Sequence, residues 1–558
     1  MTSVSPAQSV AYALEQIAKA FAASDVRRAY EIANTVLVSG LVHPKLYNTR
    51  AVWFAQRGRD DLALADFQRS LALAPKDILT LNAAGLCLMR LQQFDQAAAA
   101  FGQAIVVDPA NAQSHFRKGR ALASAGKADD AEAALKQAAL LDPANGEAMS
   151  SLASIAIGKG DLQTARFYSE QALGLNPADA TAAASLASID ISQGEFAAAE
   201  HRIRTVLGDP KLAPQGRAVA QGLLGDALDG QDKPAEAFAA YLAEKNELQQ
   251  IAAPMFAGKR RAVEVAEDLF RYFSDAPPGW LLSSAPSEPS PDEPETHVFL
   301  VGFLRTGSTL LEQILQSHPD ISALDERDCL AEQAERYLVN YAGLQRFGAL
   351  TGEALARERT AYWTAVRAQG VDLGKPVFVD KLPLNTIKLP LIAKLFPRAK
   401  ILFTVRDPRD VILSCLRRHF ATNGAMFEML TLEGAARFYD AVMQIGELSR
   451  SMVPLPFVQH RYEDLIDDFE GSVSRVCDFV GVPWQDKMRD FSRTAPTQPI
   501  LSPSGQQVKR PLYTDSVSQW RRYAEQLAPV MATLQPWIDR LGYPAAQRSI
   551  GTAVPSSR

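Results

Sequence analysis

Residues 302–309 read Gly-Phe-Leu-Arg-Thr-Gly-Ser-Thr, a GxxxxG spacing followed by two hydroxyl residues. The run HVFLVGF leading into it has the composition of a buried strand, and TLLEQILQSH after it that of a helix. In that context backbone N–H groups and the positive end of the helix dipole hold a phosphate. A nucleotide triphosphatase would carry lysine at 308, where its charge meets the β and γ phosphates; this chain has Ser308. Arg305 supplies a cation from inside the loop instead. These residues predict an anion cradle made of Arg305, Thr306, Gly307, Ser308 and Thr309, and they weigh against a P-loop kinase. Further candidates stand where strands should end. Lys381 closes PVFVDK, and Arg406 closes ILFTVR. Arginine is suited to bidentate contact with a phosphate.

Such positions need a scaffold of alternating strands and helices. Besides 297–303, the runs PVFVD (376–380), AKILFTVRD (399–407) and FVQHRYEDL (457–465) read as strands. Four strands separated by helices predict an α/β domain with a mainly parallel sheet, and ligands then bind at the carboxyl ends of its strands. Upstream, six prolines between Pro277 and Pro294 break any helix and predict an extended linker.

The first half follows another rule. Pro75, Pro109, Pro143 and Pro177 recur every 34 residues, and an alanine (Ala63, Ala97, Ala131, Ala165) stands twelve residues before each. Two antiparallel helices per 34 residues, with small residues at their crossing, are the tetratricopeptide pattern. Degenerate units flank the strict run, so six or seven helical pairs are expected between about residues 6 and 250. The predicted organisation is a repeat array over 1–272, a Pro-rich linker over 273–295, an α/β domain over 296–545 and a flexible tail over 546–558. A superhelix of this kind offers a groove to a peptide or protein; a scaffold or homodimerisation role is the alternative.

Composition narrows the class. With 58 Lys and Arg against 63 Asp and Glu, the net charge is −5, which gives no reason to expect nucleic acid or a membrane surface as partner. Four cysteines lie far apart without a CxxC pair, and seven histidines show no ligand spacing. No metal site or disulfide framework is therefore expected, and a reducing compartment is the simpler reading. The N-terminus lacks a basic segment followed by an apolar one, and no run reaches the ~20 apolar residues of a membrane span. A cytoplasmic protein is expected.

Several separated segments, in order, resemble sulfotransferases that use 3′-phosphoadenylyl sulfate (PAPS), and the tyrosylprotein sulfotransferases most of all. FLRTGSTLLEQILQSHPDISALDE is similar to their 5′-phosphosulfate loop with the HPD and acidic pair behind it. TVRDPRDVILSCLRRHF is similar to their 3′-phosphate segment. RYEDLIDDFEGSVSRVCDFVGVPW and SGQQVKRPLYTDSVSQW extend the resemblance over roughly 296–545. The resemblance implies that 305–309 hold the 5′-phosphosulfate and that Arg406 and Ser414 hold the 3′-phosphate. Glu326 would be the catalytic base, with Asp325 beside it as the fallback. Lys381 and Ser504, with Arg305, would stabilise the transferring group, while Tyr462, Lys509, Arg510 and Tyr513 would contact the nucleotide. No metal is implied.

There are departures. Gln519 stands where the family has lysine in Ser-Lys-Trp, leaving Arg521 and Arg522 as candidates to replace that cation. Arg327-Asp328 stands where the family has Thr-Arg, an arginine that helps hold an acidic peptide. A helical array is expected where the family has its membrane anchor. The implied activity is transfer of the sulfuryl group from PAPS to an acceptor hydroxyl, on a protein or peptide tyrosine or else on a saccharide, lipid or metabolite. A non-catalytic repeat adaptor is the reading from another class.

Overall fold

A proline and the residue two positions after it set the rhythm of the N-terminal helices. Each proline follows a helix end, and the Asp or Asn two residues on caps the next helix. Asp77 accepts from the Leu79 and Thr80 N–H groups, Asn111 from Ser114, Asn145 from Ala148, and Asp179 from Thr181 and Ala182. These caps satisfy backbone donors that would otherwise be orphaned. Ala63, Ala97, Ala131 and Ala165 are wholly buried, which lets paired helices approach closely. At Gly85 a Cβ would lie 2.5 Å from the Phe101 ring, so that crossing has no room for a side chain.

The computed structural model describes residues 6–277, 293–418, 420, 423–491 and 516–544. Among them, seven helical pairs run from Pro6–Ala22 to Pro234–Phe256, and the helix Ala262–Ser274 follows. The chain divides into two compact units, Met1–Leu212 and Ala213–Arg558. Six pairs make up the first. The second contains the seventh pair (Pro214–Gly230 and Pro234–Phe256), the helix Ala262–Ser274 and all the strands. Within that second unit, Arg261 pairs with the buried Glu428 and Arg437 pairs with Glu267. Most of the Pro-rich segment and all of the tail beyond 545 lie outside the described residues.

Five strands form one sheet: β1 (Thr296–Gly302), β2 (Ile321–Asp325), β3 (Val377–Lys381), β4 (Lys400–Val405) and β5 (Phe457–Arg461), in the order β2-β3-β1-β4-β5. Every pairing is parallel. Four of these strands are the ones expected from sequence; β2 is an addition. Helices cover both faces, as an all-parallel sheet requires. On one face Val298, Leu300, Val379 and Leu402 pack against Leu311, Ile314, Leu315 and Val476. On the other, His297, Phe299, Tyr362, Trp363 and Phe396 form an aromatic cluster. No helix of the described residues is long and apolar enough to cross a membrane.

Candidate active site

All five strands point their carboxyl ends at one place, and each delivers a residue of the predicted site. β1 ends at Gly302 and the loop, β2 at Asp325 and Glu326, and β3 at Lys381, while Arg406 directly follows β4 and Tyr462 follows β5. Thr386 fixes the end of β1, its hydroxyl donating to the Gly302 carbonyl at 2.7 Å and accepting from the Gly302 N–H at 3.0 Å. The helix Ser308–Gln316 begins at Gly307, which is left-handed (φ 88°) and contributes no side-chain cap. Its first N–H groups are thus arranged as an anion cradle needs. A Cβ at Gly307 would stand 2.4 Å from the Tyr462 ring, so only glycine fits between loop and tyrosine. Arg305 (φ 66°) and Glu326 (φ 46°) are non-glycine residues held in the left-handed region. Strain of that kind is typical of functional positions.

One half of the site is basic. Arg305 Nε donates to Ser414 Oγ at 3.0 Å, which joins the loop to the helix Pro408–Leu416. Arg406 donates to the Arg305 carbonyl at 3.2 Å and to the Ser516 carbonyl at 2.5 Å, and lies over the Tyr462 ring at 4.8 Å. Its Nε is buried with no hydrogen-bond partner among the described residues. A buried guanidinium N–H left in this state is suited to an anionic ligand. Tyr462 shares a 2.6 Å hydrogen bond with Ser516 Oγ. Asp407, next to Arg406 in sequence, pairs with Arg409 instead, leaving Arg406 to the site. Thr306 differs from its neighbours. Its hydroxyl donates to the Phe303 carbonyl and meets Thr404 Oγ1 at 2.8 Å, so the side chain braces the loop against β4.

The other half is acidic around a single lysine. Lys381 has no exposed surface, and its ammonium meets Glu326 Oε1 at 3.0 Å, Thr309 Oγ1 at 3.3 Å, Glu312 Oε2 at 3.4 Å and Asp325 Oδ1. Burial opposes its charge, but the three surrounding carboxyl groups outweigh burial and hold its pKa above the usual value. Glu312, on the helix after the loop, is 1% exposed. Burial lifts its pKa to about 8 against the pull of Lys381, with Asp325 and Glu326 adding to the rise. At neutral pH Glu312 therefore holds a proton beside two further carboxyl groups. Sequence reasoning missed this residue, because a glutamate on an amphipathic helix ordinarily faces water.

The structure thus brings together Arg305, Thr306, Gly307, Ser308, Thr309, Glu326, Lys381, Arg406, Ser414 and Tyr462. Ser504, Lys509, Arg510 and Tyr513 lie outside the described residues. Arg522, one of the two candidates to replace the cation lost at Gln519, pairs with Asp229 and Asp232. Arg327 is exposed, and Asp328 beside it pairs with Lys388. No group of three or more metal-ligating side chains occurs among the described residues.

Residues 297–486 match the sulfotransferase family, and 82–144 and 116–180 match the tetratricopeptide repeat. An uncharacterized protein of Aquifex aeolicus is 27% identical over 268 residues, 46% of this chain and 35% of that protein, so the chain spans about a third of its length. Protein-tyrosine sulfotransferase A of Caenorhabditis elegans is 24% identical over 273 residues, 47% of this chain and 71% of that one. An omega-hydroxy-beta-dihydromenaquinone-9 sulfotransferase of Mycobacterium bovis is 29% identical over 108 residues, 18% of this chain and 28% of its own.

Proposed function

We propose that this chain, a tetratricopeptide array joined to a sulfotransferase-family domain, transfers the sulfuryl group of PAPS to an acceptor hydroxyl. The observation that carries the reading is the convergence of the basic and acidic halves at the carboxyl ends of the strands, with Thr309 and Lys381 in contact where they meet. In this reading the loop 305–309 takes the 5′-phosphosulfate, and Arg406 with Ser414 takes the 3′-phosphate. Glu326 accepts the proton of the acceptor hydroxyl as its oxygen attacks sulfur. The bond from sulfur to the bridging phosphate oxygen breaks, adenosine 3′,5′-bisphosphate leaves, and the acceptor gains the sulfuryl group. Lys381, charged in its cage of carboxyl groups, stabilises the oxygens on which charge gathers. No metal is called for, since the cations are supplied by side chains.

A protein or peptide tyrosine is the acceptor we favour, because the C. elegans relative is a protein-tyrosine sulfotransferase and a repeat array suits an extended chain. The M. bovis relative acts on a menaquinone derivative and supports a lipid hydroxyl as the second reading. Calorimetric titration with adenosine 3′,5′-bisphosphate, with ATP and an Arg305→Ala variant as controls, tests the donor site. Binding selective for the bisphosphate and lost in the variant is expected. A preference for ATP would falsify the assignment. Labelled PAPS offered with tyrosine peptides, glycans and long-chain alcohols then separates the acceptors.

A further inference from the structure

Within the second compact unit, the last helical pair, Pro214–Gly230 and Pro234–Phe256, does what a repeat does not. A repeat pair buries apolar surface against the next repeat. This one instead turns buried charged groups toward two segments that border the donor site. The Asp229 carboxylate accepts from Arg417, the residue that closes the helix carrying Ser414. It also accepts from Arg522 Nη1 at 2.7 Å and from the Tyr523 hydroxyl at 2.6 Å, while the Asp229 carbonyl accepts from Arg522 Nη2 at 2.9 Å. Lys245, 1% exposed, donates to the Arg418 carbonyl at 2.6 Å and secures the same helix end. Tyr241 is wholly buried, donates to Asp226 at 2.9 Å and lies under the Arg417 guanidinium at 5.9 Å.

Both segments gripped by Asp229 reach the donor site. The first carries Ser414, which contacts Arg305. The second carries Ser516, whose carbonyl and hydroxyl hold Arg406 and Tyr462. Asp410 ties the two together independently, accepting from the Ser518 and Trp520 N–H groups at 2.7 and 2.8 Å. A carboxylate with several charge-assisted donors in a largely desolvated place is a rigid joint.

We propose that Asp229 is a positioning residue for recognition of the 3′-phosphate. By fixing the end of the Ser414 helix and the segment that holds Arg406, it sets the distance at which the two can grip one phosphate. The last helical pair is then a wall of the catalytic unit. The inference rests on the PAPS reading, in which Arg406 and Ser414 take the 3′-phosphate. Small displacements of such a pair weaken binding steeply, while the loop that takes the 5′-phosphate is held by other contacts.

The test compares the full-length chain with Asp229→Asn and Tyr523→Phe, each titrated calorimetrically with adenosine 3′,5′-bisphosphate and with adenosine 5′-phosphate. Melting curves establish that each variant is folded. Asp229→Asn is expected to lose about tenfold or more in affinity for the bisphosphate and to keep its affinity for the monophosphate. Tyr523→Phe removes one donor to the same carboxylate and should show a smaller loss of the same selectivity. Should Asp229→Asn not fold, the Tyr523→Phe titrations decide alone. Equal losses toward both nucleotides, or no loss in the folded variants, overturn the positioning role. Failure of the unaltered chain to bind the bisphosphate overturns instead the PAPS reading beneath it, so the two failures are told apart.

Discussion

Lys381 is held as a buried cation by its ion pairs with Asp325 and Glu326, while Glu312, also beside it, still holds its proton near neutrality. The protonation of Glu312 has a measurable consequence. Its pKa stands at about 8 in the folded chain against an ordinary 4.5. Between those values the folded state keeps a proton that the unfolded state has released, so stability falls as pH rises through the window. Asp380, lifted to about 7 by burial, acts in the same direction, and its share is complete sooner. Below about pH 6.5 the buried His297 and His460, whose pKa values burial lowers, act in the opposite direction. We therefore expect the melting temperature to decline between about pH 6.5 and about pH 8, and Glu312→Gln to flatten that decline, most completely above about pH 7. An unchanged slope in the variant would remove Glu312 from the account. Glu326 plays a different part. Glu326→Gln should cost about a hundredfold or more in turnover, while calorimetry finds bisphosphate affinity nearly unchanged. Loss of both together would make Glu326 a structural residue. Arg305, Glu326 and Lys381 were legible in the sequence because each stands at the end of a strand-like run or in a recognisable segment. Glu312 was not, since only the pairing of β2 with β3 and the path of the preceding helix bring it to Lys381.

At the scale of elements, the loop between β1 and its helix depends on one residue without a side chain. Gly307 has φ 88° and faces Tyr462 across a gap that a Cβ would overlap at 2.4 Å. Gly307→Ala must either displace the tyrosine or bend the loop. Overpacking of this kind typically costs about 1–3 kcal/mol. Bisphosphate affinity in Gly307→Ala is expected to fall by about tenfold or more, the equivalent of about 1.4 kcal/mol, and titration of the variant checks it. The same distinction between pattern and packing explains what sequence reading could recover here. β1, β3, β4 and β5 showed themselves as runs of Val, Ile, Phe and Thr. β2, Ile-Ser-Ala-Leu-Asp, is five residues long with small and polar members, and it is a strand because β3 pairs with it from Ile321 to Asp325. The order β2-β3-β1-β4-β5 is likewise a product of packing that no local composition displays.

For the whole molecule, the repeat phrase was plain because a 34-residue period with proline, alanine and Asn or Asp caps is a local signal. Where the array stops acting as an array was not plain. Helical periodicity runs on to residue 256, but the pair Pro214–Gly230 and Pro234–Phe256 belongs to the unit that holds the sheet. Its charged contacts, Asp229 with Arg417 and Arg522 above all, join residues far apart in the chain. A fragment of residues 213–558 is expected to fold and bind the bisphosphate. A fragment beginning at 293 leaves Arg417 and Arg522 without Asp229 and should bind it far more weakly or fail to fold. Circular dichroism with calorimetry distinguishes these outcomes, and equal binding by the two fragments would deny the last helical pair its place in the catalytic unit.

The central claim is sulfuryl transfer from PAPS at the strand ends that carry Arg305, Glu326, Lys381 and Arg406, and single-turnover transfer from labelled PAPS addresses it most directly. The full-length chain, supplied with a tyrosine peptide and, separately, with a long-chain alcohol, should move label to one of them and release adenosine 3′,5′-bisphosphate in equal amount. Transfer should be slower by about a hundredfold or more in Glu326→Gln. Transfer that persists undiminished in that variant, or bisphosphate binding with no transfer to any hydroxyl offered, would contradict the account.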